Sequence, residues 1–309
     1  MRKNVEIVKG ISQFIPEQFS VDTGVDLVYD FQEEITEGVL GKMWNFGDLI
    51  VNFFTHKDFL PAAEQIPGTL FTPLHLAVSA VCVVAILMLG SWAGRKGEKC
   101  LRGIYCALWA LMTCLELVKI LWETYGGERT ELNLTGNLPL YPCSIFMYAM
   151  PFAIWGKGYV RRAGCGYVCS LGLLGGAINF IYPANVLSNY SCISFAGMHT
   201  LVYHGVLVFC AVTMLRSGYH RYTGITKWWE LLIPAVPVLI VSVGANMVNF
   251  SPVDADYMFF KLESFFFAPL GAATPDWLSV ICVYGIYLLI HALPYIPSYV
   301  ANRHKIQTG

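Results

Sequence analysis

Seven apolar stretches, each close to the length that crosses a bilayer, occupy this chain from Leu70 to Val300. About 20 consecutive apolar residues rise far enough as a helix to span the hydrocarbon core. Backbone amides in lipid must find partners within their own segment, so helices are the economical solution. The expected fold class is therefore all-α: a bundle of about seven transmembrane helices with an N-terminal amphipathic helical region. The spans read as 69–92, 101–122, 137–156, 162–183, 193–215, 228–250 and 276–297. Three units follow: an interfacial segment and linker over 1–68, a seven-helix domain over 69–297, and a tail over 298–309.

Charge narrows the function classes. Only 13% of the 309 residues are charged, against about 25% in soluble domains. Lys and Arg number 20 and Asp and Glu 21, which leaves no basic excess for a nucleic-acid partner. The ten cysteines form no C-x-x-C pair, and most lie in apolar runs, where Cys acts as a small hydrophobe. Neither H-x-x-x-H nor H-E-x-x-H occurs, so no metal site is expected, and no cofactor is expected either. Met1–Gly10 carries charges without a following apolar stretch, which does not read as a signal peptide.

The basic residues alternate from loop to loop. Arg95, Lys96, Lys99 and Arg102 follow the first span; Lys157, Arg161 and Arg162 follow the third; Arg216, Arg221 and Lys227 follow the fifth; Arg303 and Lys305 lie in the tail. The opposite loops hold Arg129 and Lys261 alone. The positive-inside rule then predicts a cytoplasmic C-terminus and an N-terminus outside. A bacterial plasma membrane is the expected location.

Pro61, Pro67 and Gly68 mark a linker before the first span. Residues 39–54 predict an amphipathic helix whose apolar side includes Leu40, Trp44, Ile50 and Phe53. It would lie in the interface or on the bundle. Gly172-x-x-x-Gly176 permits close helix approach in the fourth span. Asn133-Leu-Thr135 and Asn189-Tyr-Ser191 match glycosylation sequons.

An ionisable side chain in a span costs about 2.5–3.5 kcal/mol on insertion scales and should face the interior or a cavity. At about 1.5 Å per residue, His75, Cys143 and His199 fall roughly 9 Å below the outer boundary. Glu116 lies about seven residues in, Lys119, Asn179 and Asn246 about four, and His204 deeper, at roughly 16 Å. His291 falls near the other end. Six spans thus bring polar groups to one level. Glu116 and Lys119, three apart, share a helix face and can pair.

The third span is interrupted by Pro139 and Pro142. Proline suits a helix's first turn, so the regular helix is expected to begin near Pro142, with Cys143 in its first turn. Unpaired amides and the positive dipole end there favour a thiolate. A thiol nucleophile needs a base, and His199 and His204 are the candidates. Five apart, they sit about 140° apart around a helix, so the spacing predicts that both cannot face one small site. The sixth span, with Pro234 and Pro237, is expected to kink and ends in Asn246 and Asn249, which could donate to an oxyanion.

Leu138-Pro139-Leu140-Tyr141-Pro142-Cys143 resembles the Leu-Pro-Leu-His-x-Cys stretch of the YwaF-like bacterial integral membrane proteins. His204-Gly205 and the run from Asn246 to Tyr257 are similar to that family's His and its Asn…Asn-Tyr ending. The likeness covers roughly 69–297, with Tyr141 where the bacterial pattern has His. That family is distantly similar to a vertebrate membrane acyltransferase of ether phospholipids, in which a Cys and a His within the membrane are implicated. The resemblance implies Cys143 as acyl-accepting nucleophile and His204 as its base. The expected activity is a lipid acyltransferase or acyl hydrolase in the outer half of the bundle, with His75, Glu116, Lys119, Asn179, Asn246 and Asn249 as binding groups. Membrane lipids are the expected partners, and a homo-oligomer is left open. The Pro-interrupted spans would also suit a small-molecule carrier, and the seven-span layout a receptor or sensor.

Overall fold

A computed structural model describes residues 44–128, 137–249, 256–260 and 275–308, with side chains to Asn302. Residues 39–43 of the expected amphipathic helix, Arg129, the sequon at Asn133 and Lys261 lie outside the described residues. Those described form a helical bundle with no strand among them. Six helices are long and apolar enough to cross a membrane, and Phe146–Trp155 is a shorter apolar one. The chain is an integral, multi-pass, all-α membrane protein.

Helix α1 (Phe46–Val51) is capped by Asn45, whose side chain accepts from Gly47 and Asp48 while the Asp48 carboxylate accepts from the Asn45 amide. Of the eleven described residues of the expected amphipathic helix, 44–54, six form it. Phe46, Ile50 and Val51 are exposed and Leu49 is buried. The segment beyond it docks on the bundle: Phe195 N–H donates to the Phe53 carbonyl at 2.8 Å, and the Trp122 indole donates to the Phe54 carbonyl at 2.8 Å.

Helix α2 (Pro73–Ala93) starts with Thr72 as cap and proline at its first position. Helix α3 (Glu98–Tyr125) follows and outruns the apolar stretch at both ends. Both are mostly uncovered: only 17% of each apolar window is buried within the protein, so lipid is their solvent. Helix α4 (Phe146–Trp155) is the short one and contains Pro151.

The fourth span is composite. Helix α5 (Gly158–Tyr167) passes through a π turn (Val168–Gly172) into helix α6 (Leu173–Ile181). A short helix α7 (Ala184–Leu187) leads on to helix α8 (Phe195–Ser217), which is capped by Ser194 and ends at Gly218 in the left-handed conformation, φ +72°. Helix α8 is central, packed against α2, α3 and α6. The sixth span changes winding where its prolines lie: a 3₁₀ segment (Trp228–Ala235) gives way to helix α9 (Val236–Asn249). Helix α10 (Asp276–Ala292), a 3₁₀ turn and helix α11 (Ile296–Thr308) complete the bundle.

The tightest approaches fall on glycines. A Cβ at Gly164 would meet backbone atoms of Ala149, Phe152 and Ala153, so α4 and α5 touch backbone to backbone. Gly176 lies against the His204 carbonyl and Val208 of α8, whereas Gly172 has only its own turn beside it. The fourth span's G-x-x-x-G thus serves as a contact through its second glycine.

Candidate active site

The stretch ahead of α4 is a loop of turns because Pro139 and Pro142 block a regular helix until Phe146. A neighbouring span and the 3₁₀ turn Tyr257–Phe259 hold it on two sides. The Tyr167 hydroxyl donates to the Pro142 carbonyl at 2.5 Å, and Leu138 N–H donates to the Tyr257 hydroxyl at 2.9 Å. The Tyr141 ring lies 5.1 Å from that of Tyr257. Cys143 therefore precedes the first turn of α4 rather than lying in it, because the helix begins one turn later than the prolines predict. Its carbonyl accepts the Phe146 amide at 3.2 Å, which makes it part of the turn that launches the helix.

A cavity of about 560 Å³ opens behind this loop, at the end of the bundle opposite the basic loops. Cys143 and Ser144 line one wall, Glu116 and Lys119 of α3 another, and His199, Thr200, Tyr203 and His204 of α8 a third. Both histidines therefore face one space, contrary to the 140° argument. The cavity is large enough to wrap around a sector of the helix, and residues at i, i+1, i+4 and i+5 together span that sector.

His204 has a defined tautomer. Its Nδ1 lies 2.7 Å from the Thr200 carbonyl, one turn back. A carbonyl only accepts, so Nδ1 carries the proton and Nε2 keeps a free lone pair. His199 is placed differently. Its Nε2 is 3.3 Å from Glu116 Oε2, at an angle too oblique for a hydrogen bond, and its ring stacks on Tyr203 at 5.8 Å. Lys119 Nζ is 3.3 Å from the other Glu116 oxygen. Glu116 is buried, and the Lys119 ammonium beside it offsets the carboxylate charge. The Tyr203 hydroxyl is buried without a partner among the described residues.

Three of the residues singled out by depth, and Asn249 at the end of the sixth span, stand outside this lining. His75 is fully buried in the first turn of α2, where Nδ1 accepts the Phe71 amide at 3.2 Å and closes a local turn. Asn179 stands behind the wall, its Oδ1 accepting from the Thr200 hydroxyl at 3.4 Å. Asn246 donates to the Tyr284 hydroxyl at 3.1 Å. Asn249 grips the backbone of Tyr257, donating to its carbonyl at 2.8 Å and accepting its amide at 2.7 Å. Because Tyr257 supports the thiol loop, Asn249 positions the loop without touching the cavity.

The mouth was not legible from depth. His56, Lys57 and Asp58 of the N-terminal segment line it together with Glu123 of α3. The His56 ring lies between two carboxylates, Nδ1 3.1 Å from Asp58 and Nε2 3.2 Å from Glu123. Gly127 gives them room, since a Cβ there would meet Asp58 and the His56 ring under 3.0 Å. Tyr190 accepts the Lys57 amide at 3.1 Å, and burial pushes its phenol well above the usual range. Thr200 and Tyr203 could have been found from the polar stripe they form with the two histidines. Among the described residues no group of three His, Cys, Asp or Glu side chains is placed to hold a metal ion.

No curated protein and no solved structure matches this chain. One family profile does, over residues 70–300, about three quarters of the sequence and all of the spans that build the cavity. A membrane-embedded helical bundle over that range is what the coordinates contain, and the chain belongs to the TMEM164 family.

Proposed function

We propose that this protein is a membrane-embedded lipid acyltransferase or acyl hydrolase with Cys143 as nucleophile and His204 as general base. The observation that carries the reading is a single cavity lined by a thiol and by an imidazole whose Nε2 lone pair is free. The likeness of Leu138–Cys143 and of His204-Gly205 to the YwaF-like pattern supports the same pair.

The chemistry balances as two transfers. The Cys143 proton passes to His204 Nε2 as sulfur attacks the ester carbonyl. The tetrahedral oxyanion collapses, the carbon–oxygen bond breaks, and the leaving alkoxide takes the proton from His204. A second hydroxyl, from a lysolipid or from water, gives its proton to His204, attacks the thioester and releases the thiol. The Tyr203 hydroxyl, without a partner among the described residues, and the Lys119 ammonium are donors on the cavity wall that serve the oxyanion in this reading; Asn246 and Asn249, expected in that role, are engaged elsewhere. Glu116 holds Lys119 in place, with His199 beside its other oxygen. Lipid enters sideways from the extracytoplasmic leaflet in this reading, and the C-terminus is cytoplasmic.

Full-length protein in liposomes containing a phospholipid with a labelled acyl chain tests the proposal. The expected result is release or transfer of label by the wild type and its loss in Cys143→Ala and His204→Gln, with thiol-probe labelling, read peptide by peptide because Cys100, Cys114 and Cys282 are exposed, lost in Cys143→Ala at that position alone. Turnover unchanged in folded Cys143→Ala refutes the assignment.

A further inference from the structure

A second concavity, of about 190 Å³, lies at the other end of the bundle, between the start of α5 and the loop after α8. Arg161 and Arg162 come from the first turns of α5, and Tyr219, His220 and Arg221 from the loop. The three arginines differ in how they are neutralised. Arg161 Nη1 is 2.8 Å from Glu98, and its guanidinium lies 4.0 Å over the Tyr219 ring. Arg162 and Arg221 have no carboxylate within 4.0 Å among the described residues. Arg162 Nη1 is buried with no hydrogen-bond partner. Arg221 folds back over Gly218, where a Cβ would come within 3.0 Å of its guanidinium.

His220 adds no charge to the set. It is buried, its Nε2 is 2.7 Å from the Tyr295 hydroxyl, and burial and the two arginines of α5 hold its imidazole neutral. Helix α5 contributes a dipole end: Lys157 precedes it in extended conformation and supplies no side-chain cap. A concave site therefore presents two guanidinium groups without an ion-pair contact among the described residues, one with a buried donor lacking an acceptor; Glu230, the carboxylate that acts on Arg162 from beyond contact, has its oxygens taken by Tyr159, Thr226 and Lys227. Such donors are destabilising when unmet and are matched by oxyanions that take two N–H groups at once. Guanidinium geometry suits phosphate in particular.

We propose that this concavity binds a phosphate-bearing anion, gripped by Arg162 and Arg221 with the first turn of α5 beneath it. The site stands apart from the thiol cavity, because it lies at the end of α8 and the cavity at its beginning. Its position beside the basic loops offers two sources of one chemistry: the phosphate of a lipid headgroup in the adjacent leaflet, or a soluble phosphate. The pocket's size admits a phosphate group and excludes acyl chains.

Two arms separate the sources. In the first, inorganic phosphate is titrated into full-length protein in neutral detergent while thermal unfolding is followed. In the second, the protein is held in phosphatidylcholine nanodiscs with and without phosphatidylglycerol. The wild type should gain several degrees in at least one arm, since a ligand of the native state raises the unfolding midpoint. A gain with inorganic phosphate assigns a soluble anion, and a gain with phosphatidylglycerol alone assigns a headgroup. Arg162→Gln with Arg221→Gln should weaken the apparent affinity at least tenfold, whereas the charge-matched Arg95→Gln with Lys99→Gln should leave it unchanged. If the first pair fails to fold, Arg221→Gln alone, at an exposed position, should weaken it severalfold. No gain in either arm, or equal loss in the control pair, overturns the proposal.

Discussion

Replacing Gly164 by Ala should destabilise the protein, against the direction helix propensity predicts. Alanine in place of glycine in a helix is worth about 1 kcal/mol. At Gly164, however, the new Cβ would lie under 3.0 Å from Ala149 O, Ala153 N and Phe152 C. All three are backbone atoms, so no side chain can swing aside and the two helices must part. Overpacking of this kind costs about 1–3 kcal/mol, and its rigid origin places Gly164 at the upper end. Subtracting the propensity gain leaves a net loss of about 2 kcal/mol, roughly 30-fold in the folding equilibrium. Gly175→Ala is the paired control, because a Cβ there meets nothing within 4 Å; it should be neutral or stabilising by up to about 1 kcal/mol. Denaturant titration in mixed micelles, followed by tryptophan fluorescence, measures both. A Gly164→Ala protein as stable as the wild type would show that α4 and α5 do not touch as described.

Tyr167→Phe removes the hydroxyl that holds the Pro142 carbonyl and should lower stability by about 1 kcal/mol. It should also reduce acyl turnover severalfold while leaving Cys143 reactive to a thiol probe, which liposome assays and mass spectrometry would read. Glu116→Gln leaves Lys119 and His199 without their shared carboxylate. Because Lys119 is 28% exposed, the loss should fall below the 3–5 kcal/mol of a fully buried broken pair, at about 2 kcal/mol, in the same titration. The His220 imidazole, in a loop outside the spans, is lowered to about 4 by burial and by the flanking Arg162 and Arg161. The unfolded chain then binds a proton more readily than the folded one below about 6.5, so stability should be full above that pH and fall as pH drops toward 4. His220→Phe should flatten that dependence; a wild-type midpoint constant from pH 7 to 4 argues against it.

The class of fold was written in the apolar spans, since a lipid solvent leaves the backbone few alternatives. Depth counting found Glu116, Lys119, Cys143, His199 and His204, because one coordinate along the membrane normal suffices to align groups on different helices. The same count drew in His75, Asn179 and Asn246, since depth carries no azimuth and each turns to a partner of its own. The prolines predict the start of α4 a turn early because proline preference is a local rule, while Tyr167 and Tyr257 act on the loop from positions 25 and 119 residues away in sequence. The mouth residues escaped notice because His56 and Asp58 belong to a segment whose docking depends on Phe53, Phe54 and Trp122.

The π turn in the fourth span has a consequence for the chain's tolerance of insertions and deletions. Such a turn holds one more residue than an α turn. Excising a single residue between Val168 and Leu171 would return the span to regular winding while the helix beyond it kept nearly the same facing, because the wide turn and its surplus residue would vanish together. Gly176 would stay against α8 and Gly164 against α4, whereas the same excision from the regular winding of α8 would swing everything beyond it by about 100°. The fourth span is thus the place where the chain can lose one amino acid and keep both partners.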